Sequence, residues 1–414
     1  MTIKVLAIGD ICNILQTTRK FTKKSEIYII NFYKDGAGVY IYADDIETFP
    51  NYKVSDHVKR INEIKDNFDI CITMGTGERI AYLADLNYVS YYVGNDIDAP
   101  RFVKNSKKPW ANEALHTLNF LERIFYKNSF SNAVAHIAGT WVYDYLKKYD
   151  KNAIRIDRIP INSSMFNAKV ESWGKKKSKF TFFSPQRIGR PKGTDLLWRA
   201  LELCKSDFEV IQVNWFDEAT HEEQQTKKQL LDNIPPQVHL IPMIKQTDMA
   251  KYYNFADAIF GNMKVGSHTL SEFEGVMCNK PVIQYSNPNM KIIIGGKEIE
   301  SPFLPHSNEP KKIAEIIDMV VESKEFRDKL FEEEFKFVRE VGDPVKCAEW
   351  WDNFFEEHAK RYKSIKRNSL RIKIEVRILF FLFANRLYFK KIRNKLINSI
   401  SKSHNIKNYK TSSK

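Results

Sequence analysis

Short apolar runs alternate with amphipathic stretches along this chain, and that alternation limits the fold more than any other feature. Val5–Ile8 ends at Gly9-Asp10, and Ile27–Phe32 and Val39–Tyr42 follow it. Asp69–Thr73 feeds Gly75-Thr76-Gly77, and Tyr88–Val93 feeds Gly94-Asn95-Asp96. Ala133–Ile137 precedes a helical pattern at Val142–Lys148. Apolar runs of this length, bounded by turn residues, predict strands. Strand, turn and helix in rotation predict an α/β fold: a parallel sheet with helices on both faces. Ligands on such sheets sit at the carboxyl ends of the strands, where these glycine-containing turns fall.

The pattern stops at a polar, breaker-rich stretch from Pro160 to Lys177 and then restarts. Phe180–Phe183, Phe208–Val213, Val238–Ile241, Ala258–Phe260 and Val282–Tyr285 are the second set of expected strands. Thr194–Cys204, Thr247–Asn254 and a start at Glu272–Met277 are the expected helices. A chain of 414 residues is too long for one ordinary core and suits two domains plus an extension. The expected division is 1–165, 178–345, an aromatic helix over 346–363 that holds Trp350, Trp351, Phe354 and Phe355, and a tail over 364–414.

The formal charge of +14 suggests a nucleic-acid partner until it is located. From Lys360 onward there are 17 of the 65 Lys and Arg against one acid, Glu375, so the remaining 48 bases and 50 acids nearly cancel. The basic character therefore belongs to the tail, and the body argues against nucleic acid. Within the tail, Ile378, Leu382, Phe389, Ile392 and Leu396 recur at near-helical spacing among Arg377, Arg386, Lys390 and Lys391. Such a segment predicts binding to an anionic membrane surface, with packing onto the body as the plain alternative. No apolar stretch reaches the roughly 18–20 residues of a spanning helix, and no signal peptide is visible. Five scattered cysteines without a CxxC pair predict reduced thiols and a cytoplasmic chain, peripheral on the inner face of the membrane.

Two constellations in the second unit carry chemistry. In Ser184-Pro-Gln-Arg187-Ile-Gly-Arg-Pro-Lys192-Gly193, two cations five residues apart sit between an expected strand and an expected helix. A guanidinium fork and an ammonium there suit a diphosphate and its developing charge; a solvated basic loop is the alternative. In Gly266-Ser-His-Thr-Leu270, a small-residue loop precedes a helix, and helix-start N–H groups bind anions. Glu274, further along that helix, is placed to accept from sugar or ribose hydroxyls, or else is an exposed helical glutamate.

Taken together the two segments resemble the donor domain of glycosyltransferase family 4 and its GT-B relatives. In that family Gly-Arg ends a strand and Lys-Gly follows five residues after the Arg; Arg187 and Lys192-Gly193 keep the spacing, with Gln186 at the Gly. The family's Glu-Ala-Met-Ala-Cys-Gly-x-Pro-Val is matched in register by Glu274-Gly-Val-Met-Cys278-Asn-Lys-Pro281-Val282. The resemblance implies a GT-B fold, with two Rossmann-like domains facing a cleft and the 346–363 helix with Trp350 and Trp351 crossing back onto the first domain. It implies that Arg187 and Lys192 hold the donor diphosphate, that Glu274 binds the ribose, and that Gly266, Ser267, His268, Thr269 and Leu270 hold phosphate or sugar. Met243 and Ile244 fall where the family places its nucleobase wall.

The first unit carries the resemblance weakly. The family's His-Gly-x-Asp reads Val93-Gly94-Asn95-Asp96 here, and its Glu eight residues before the helix Glu reads Gly266. Asp96 is grouped with Arg187 and Lys192 as the expected catalytic set, and Gly9, Asp10, Gly75, Glu78 and Asn95 as the acceptor side. Asp96-Ile97-Asp98 has the DxD form of metal-dependent transferases of another fold, but no residues cluster at metal spacing, and neither metal nor cofactor is expected. The implied reaction transfers a sugar from a nucleotide-sugar to a lipid-linked or envelope-glycan acceptor, with retention at the anomeric carbon. The rival readings are another GT-B enzyme such as an epimerase, or a degenerate nucleotide-sugar-binding scaffold at the membrane.

Overall fold

The computed structural model describes residues 2–32, 46–51, 53–106, 115–116, 118, 120–174, 179–216 and 221–364, with 374, 377, 378 and 381 of the tail. Seven parallel strands form the first sheet: β1 (Ile3–Ile8), β2 (Ser25–Asn31), β3 (Glu47–Thr48), β4 (Ile70–Met74), β5 (Val89–Tyr92), β6 (Ala135–Ala138) and β7 (Ile154–Arg155). Their order is β3-β2-β1-β4-β5-β6-β7. Its helices are α1 (Ile14–Arg19), α2 (Val54–Ile64), α3 (Gly77–Leu83), α4 (Asn95–Asp98), α5 (Phe120–Ser131) and α6 (Thr140–Leu146). The expected strand at Val39–Tyr42 lies outside the described residues. Two-residue β3 and β7 extend the sheet at its edges, too short to show as an apolar run.

Five further parallel strands form the second sheet: β8 (Phe180–Ser184), β9 (Phe208–Val213), β10 (Val238–Ile241), β11 (Ala258–Phe260) and β12 (Val282–Ile283), in the order β10-β9-β8-β11-β12. Side chains on a strand alternate between faces, and a sheet covered on both sides is apolar throughout. Phe183, Ile211 and Ile259 enter one core, while Phe182, Val210 and Phe260 enter the other. Phe182 and Phe260 stack there at 4.3 Å. The covering helices are α7 (Thr194–Leu201), α8 (His221–Leu231), α9 (Gln246–Phe255), α10 (Leu270–Met277), α11 (Pro310–Glu322) and α12 (Lys324–Val341). A hairpin of β13 (Ile292–Ile294) and β14 (Lys297–Ile299) stands apart from both sheets.

The chain crosses between the sheets twice, and the crossings touch: Ile161 N–H donates to Gly342 O at 3.1 Å. After the second crossing, α13 (Pro344–Ser364) returns to the first sheet. Trp351, Phe354, Phe355 and Tyr362 join the core that holds β1 and β4. Asp352 fixes the register by accepting from Lys23 N–H at 2.7 Å and Lys24 N–H at 3.1 Å. No helix among the described residues is long and apolar enough to cross a membrane.

Candidate functional site

In a doubly wound sheet, the crossovers leave a crevice between the two strands where the order reverses. In the second sheet those strands are β8 and β11, and the loops leaving their carboxyl ends are the two constellations of the sequence. Arg187 lies in the first loop, its guanidinium 5.4 Å from the centre of the Trp215 ring. Ile188 N–H donates to Trp215 O at 2.6 Å, so the loop is pinned beside that aromatic. Thr194, at the start of α7, accepts from Gly189 N–H at 3.0 Å and closes the turn that carries Lys192.

The two loops are in main-chain contact: Met263 N–H donates to Lys192 O at 3.0 Å. Gly193 lies at φ +74°, and a Cβ there would stand 2.8 Å from the Met263 carbonyl carbon. Gly193 is thus required by the approach of one loop to the other. Gly266 is also left-handed, at φ +74°, and a Cβ would meet that of Asn287 at 2.6 Å. The family's carboxylate is missing because this position has no room for any side chain.

Beneath the loops runs a buried polar network that sequence reasoning missed. Glu272 is fully buried, accepting from Asn262 N–H at 2.9 Å, Thr269 N–H at 2.8 Å and Gln186 Nε2 at 3.1 Å. Gln212 Nε2 in turn donates to Gln186 O at 2.8 Å. Gln186, the replacement for the family's Gly, therefore ties the Arg187 loop to the start of α10. Thr269-x-x-Glu272 is a capping box, and that signature was available in the sequence.

Glu274 is buried rather than exposed, and accepts from Tyr253 Oη at 2.9 Å. Burial pushes its carboxyl up to about 7. It lines a cavity shared with Cys12, Asn13 and Gln16 of the first sheet and with Gln246 at the start of α9. Asn13 Nδ2 donates across the interface to Gln246 Oε1 at 3.0 Å. Desolvation raises the Cys12 thiol to about 11, although Lys192 and Arg187 lie close enough to oppose the shift. Arg187, Lys192, Glu274 and the β1–α1 turn therefore converge on one cleft.

Several expected residues are placed differently. His268 is turned into the core: Gln284 Nε2 meets its Nδ1 at 2.8 Å, Phe337 lies edge-on at 5.0 Å, and burial lowers its pKa to about 3. The imidazole is neutral and structural, while its main chain stays in the loop. Thr269 Oγ1 is engaged by Glu272 and Ser271, so it shapes the helix start; Ser267 is buried beside it. Met243 is exposed, and Ile244 packs against the second domain's core.

On the first sheet the reversal lies between β1 and β4, and Gly9 and Gly75 open the loops there. Asp10 is not available to an acceptor. It is fully buried and caps α1, accepting from Leu15 N–H at 3.0 Å and Gln16 N–H at 2.8 Å, with burial raising it to about 7. Glu78 is likewise engaged, by Tyr92 Oη and by Ser129 Oγ at 3.0 Å, and does not cap α3. Asn95 opens α4. Asp96 accepts from Gly94 N–H at 3.1 Å through Oδ1, while Oδ2 is buried with no hydrogen-bond partner. Desolvation, with Glu78 and Asp98 nearby, pushes Asp96 up to about 7. Among the described residues no three His, Cys, Asp or Glu side chains are grouped to hold a metal ion.

Two facing Rossmann-like domains, with a cationic loop and a helix-start loop at one crevice, define the GT-B class. Sucrose-phosphate synthase from Thermosynechococcus elongatus has this fold at 13% identity and a TM-score of 0.63, over 86% of this chain and 98% of its own. HepE from Anabaena in complex with UDP-glucose is similar at 14% identity and a TM-score of 0.60, over 86% of this chain and 100% of its own. A glycosyltransferase from Rickettsia africae is similar at 16% identity and a TM-score of 0.53, over 89% and 100%. No curated protein sequence matches the chain. Residues 165–337, which include the Arg187–Lys192 and Gly266–Leu270 loops, match the family described as Glycosyl transferases group 1. The match falls on the second α/β unit of the chain.

Proposed function

We propose that this enzyme transfers a hexose from a nucleoside diphosphate sugar to a lipid-linked or envelope-glycan acceptor, with retention at the anomeric carbon. The observation that carries the donor half is the meeting of the Arg187–Lys192 loop and the Gly266–Leu270 loop at the β8/β11 crevice, with Glu274 a turn beyond. Arg187 and Lys192 take the diphosphate and offset the charge that builds on it as the glycosidic bond breaks. Main-chain N–H groups near the start of α10 add to that stabilisation. Glu274 accepts from the ribose hydroxyls. Asp96 and the Gly9 and Gly75 turns line the acceptor side, and approach of the two domains excludes water. HepE, of like fold, is a complex with UDP-glucose, which supports UDP as the nucleotide.

The acceptor half rests on the tail. Ile374, Ile378 and Phe381 are at least half exposed and spaced by four and three residues, with Arg377 between them. That spacing suits one face of a helix on an anionic bilayer, and it supports a reading in which the protein works at the cytoplasmic face of the membrane on lipid-linked acceptors. The test is calorimetry with UDP, GDP, ADP and UDP-glucose on the wild type and on Arg187→Ala. Micromolar binding of one nucleotide, weakened about 10- to 100-fold in the variant, is expected. A folded protein that binds none of them overturns the reading.

A further inference from the structure

The cavity between the two domains leaves two acceptor oxygens of the first domain unsatisfied. Asn13, Gln16 and Lys20 line it from the first domain, and Gln246, Leu270 and Glu274 from the second. Its volume is about 80 Å3, several times what one water needs and enough for the hydroxyl edge of a sugar ring. The β1–α1 turn is held in an unfavourable conformation to form this wall. Cys12 and Asn13 lie at left-handed φ, 58° and 55°, which residues with a Cβ rarely adopt. Asp10 secures the turn from beneath, accepting from Leu15 N–H at 3.0 Å and Gln16 N–H at 2.8 Å.

Side-chain hydrogen bonds across the domain interface set which atoms remain. Gln246 gives a hydrogen bond to Glu274, and an amide can give one only through its nitrogen. Gln246 Oε1 accepts from Asn13 Nδ2 at 3.0 Å. That leaves Asn13 Oδ1, which is buried and has no hydrogen-bond partner among the described residues. Gln16 Oε1, one turn further along, is in the same condition.

A buried acceptor without a donor costs free energy, so these oxygens favour a ligand that brings hydrogens to them. Glu274 disfavours an anion in this cavity and Lys20 disfavours a cation, which leaves neutral hydroxyls. The ribose has two hydroxyl hydrogens, and in the donor reading Glu274 takes both. The further donors must then come from a sugar ring. We propose that Asn13 Oδ1 and Gln16 Oε1 accept from hydroxyls of a neutral hexose in this cavity and so help to set which sugar is taken. This rests on the glycosyl-transfer reading above and assigns it two specificity-determining residues on the first domain.

The test is calorimetry on wild type, Asn13→Gly and Gln16→Met. Glycine suits the left-handed turn, and methionine keeps the length of Gln16 without its oxygen. The ligands of the first arm are UDP and GDP, with UDP-glucose, UDP-galactose, UDP-N-acetylglucosamine and GDP-mannose. Both variants are expected to hold the free nucleotide as wild type does, which also reports that they are folded. They are expected to bind the sugar conjugate that wild type prefers about tenfold more weakly. A second arm titrates glucose, galactose, N-acetylglucosamine and mannose into protein saturated with the nucleotide. Loss on the conjugate assigns the transferred hexose; loss on a free sugar alone assigns an acceptor sugar. Variants that match wild type in both arms overturn the proposal and leave the donor reading standing, with water alone in the cavity. Equal loss of nucleotide and conjugate in both variants also overturns it, since the two residues then only shape the turn. Absence of any nucleotide or conjugate binding by folded wild type removes the donor reading and the proposal with it.

Discussion

Glu274 shows how a residue's neighbours set its chemistry. The family pattern identifies it as a ligand group, but the pattern says nothing of its protonation. In the structure it is buried beside Tyr253, and its carboxyl is raised to about 7. Only the ionised form accepts from two ribose hydroxyls without using a lone pair for its own proton. Donor affinity is therefore expected to rise with pH through 7 and to be about tenfold weaker one unit below that value than on the plateau. Glu274→Gln should abolish that dependence, as read by UDP affinity from pH 6 to 8. The variant separates this effect from Asp10 and Asp96, which are raised to the same range. Asp10 and His268 are the counter-case. Both stand in the expected motifs, yet one caps a helix and the other packs among phenylalanines. A sequence motif fixes which main chain comes near the ligand more firmly than it fixes where each side chain turns.

At the scale of elements, strand and helix were legible wherever a buried strand needs an unbroken apolar run. The expected β8 to β11 fall within a residue or so of their observed ends. What escaped were the two-residue edge strands, the short β13–β14 hairpin and the long helices α11 and α12. The donor loops were legible because glycines and cations mark them, but their mutual contact was not. That contact predicts the cost of altering Gly193. Gly193→Ala places a Cβ against Met263 in a left-handed conformation, and should lower unfolding stability by about 1–3 kcal/mol in urea titration. It should also weaken UDP binding, since Lys192 O and Met263 N–H must separate. Glu272 belongs to this scale too, since one buried carboxylate holds both the α10 start and the Gln186 loop in place.

The whole molecule is held together by a segment far from either donor loop. Trp351 is fully buried in the first domain's core, 5.3 Å edge-on from Tyr91, although α13 follows the second domain in sequence. Trp351→Ala removes a large side chain from that core and is expected to cost about 3–5 kcal/mol. Loss of the first domain's cooperative transition in thermal unfolding, with the UDP-dependent shift of the second retained, is the expected readout. The aromatic helix was visible in the sequence, and its return to the first domain was expected only from resemblance.

By itself the sequence determined two α/β units, the cationic and helix-start loops of the second, and the confinement of basic charge to the tail. These follow from local rules: buried parallel strands need apolar runs, tight turns need glycine, and charge is additive along a chain. Only the tertiary structure decided that Gly266 has no space for a carboxylate, that Glu272 rather than His268 organises the donor loop, and that Asn13 and Gln16 share a cavity with Glu274. Each of those depends on atoms brought together from distant parts of the chain, where packing distance and desolvation decide the outcome and sequence spacing carries no record of either.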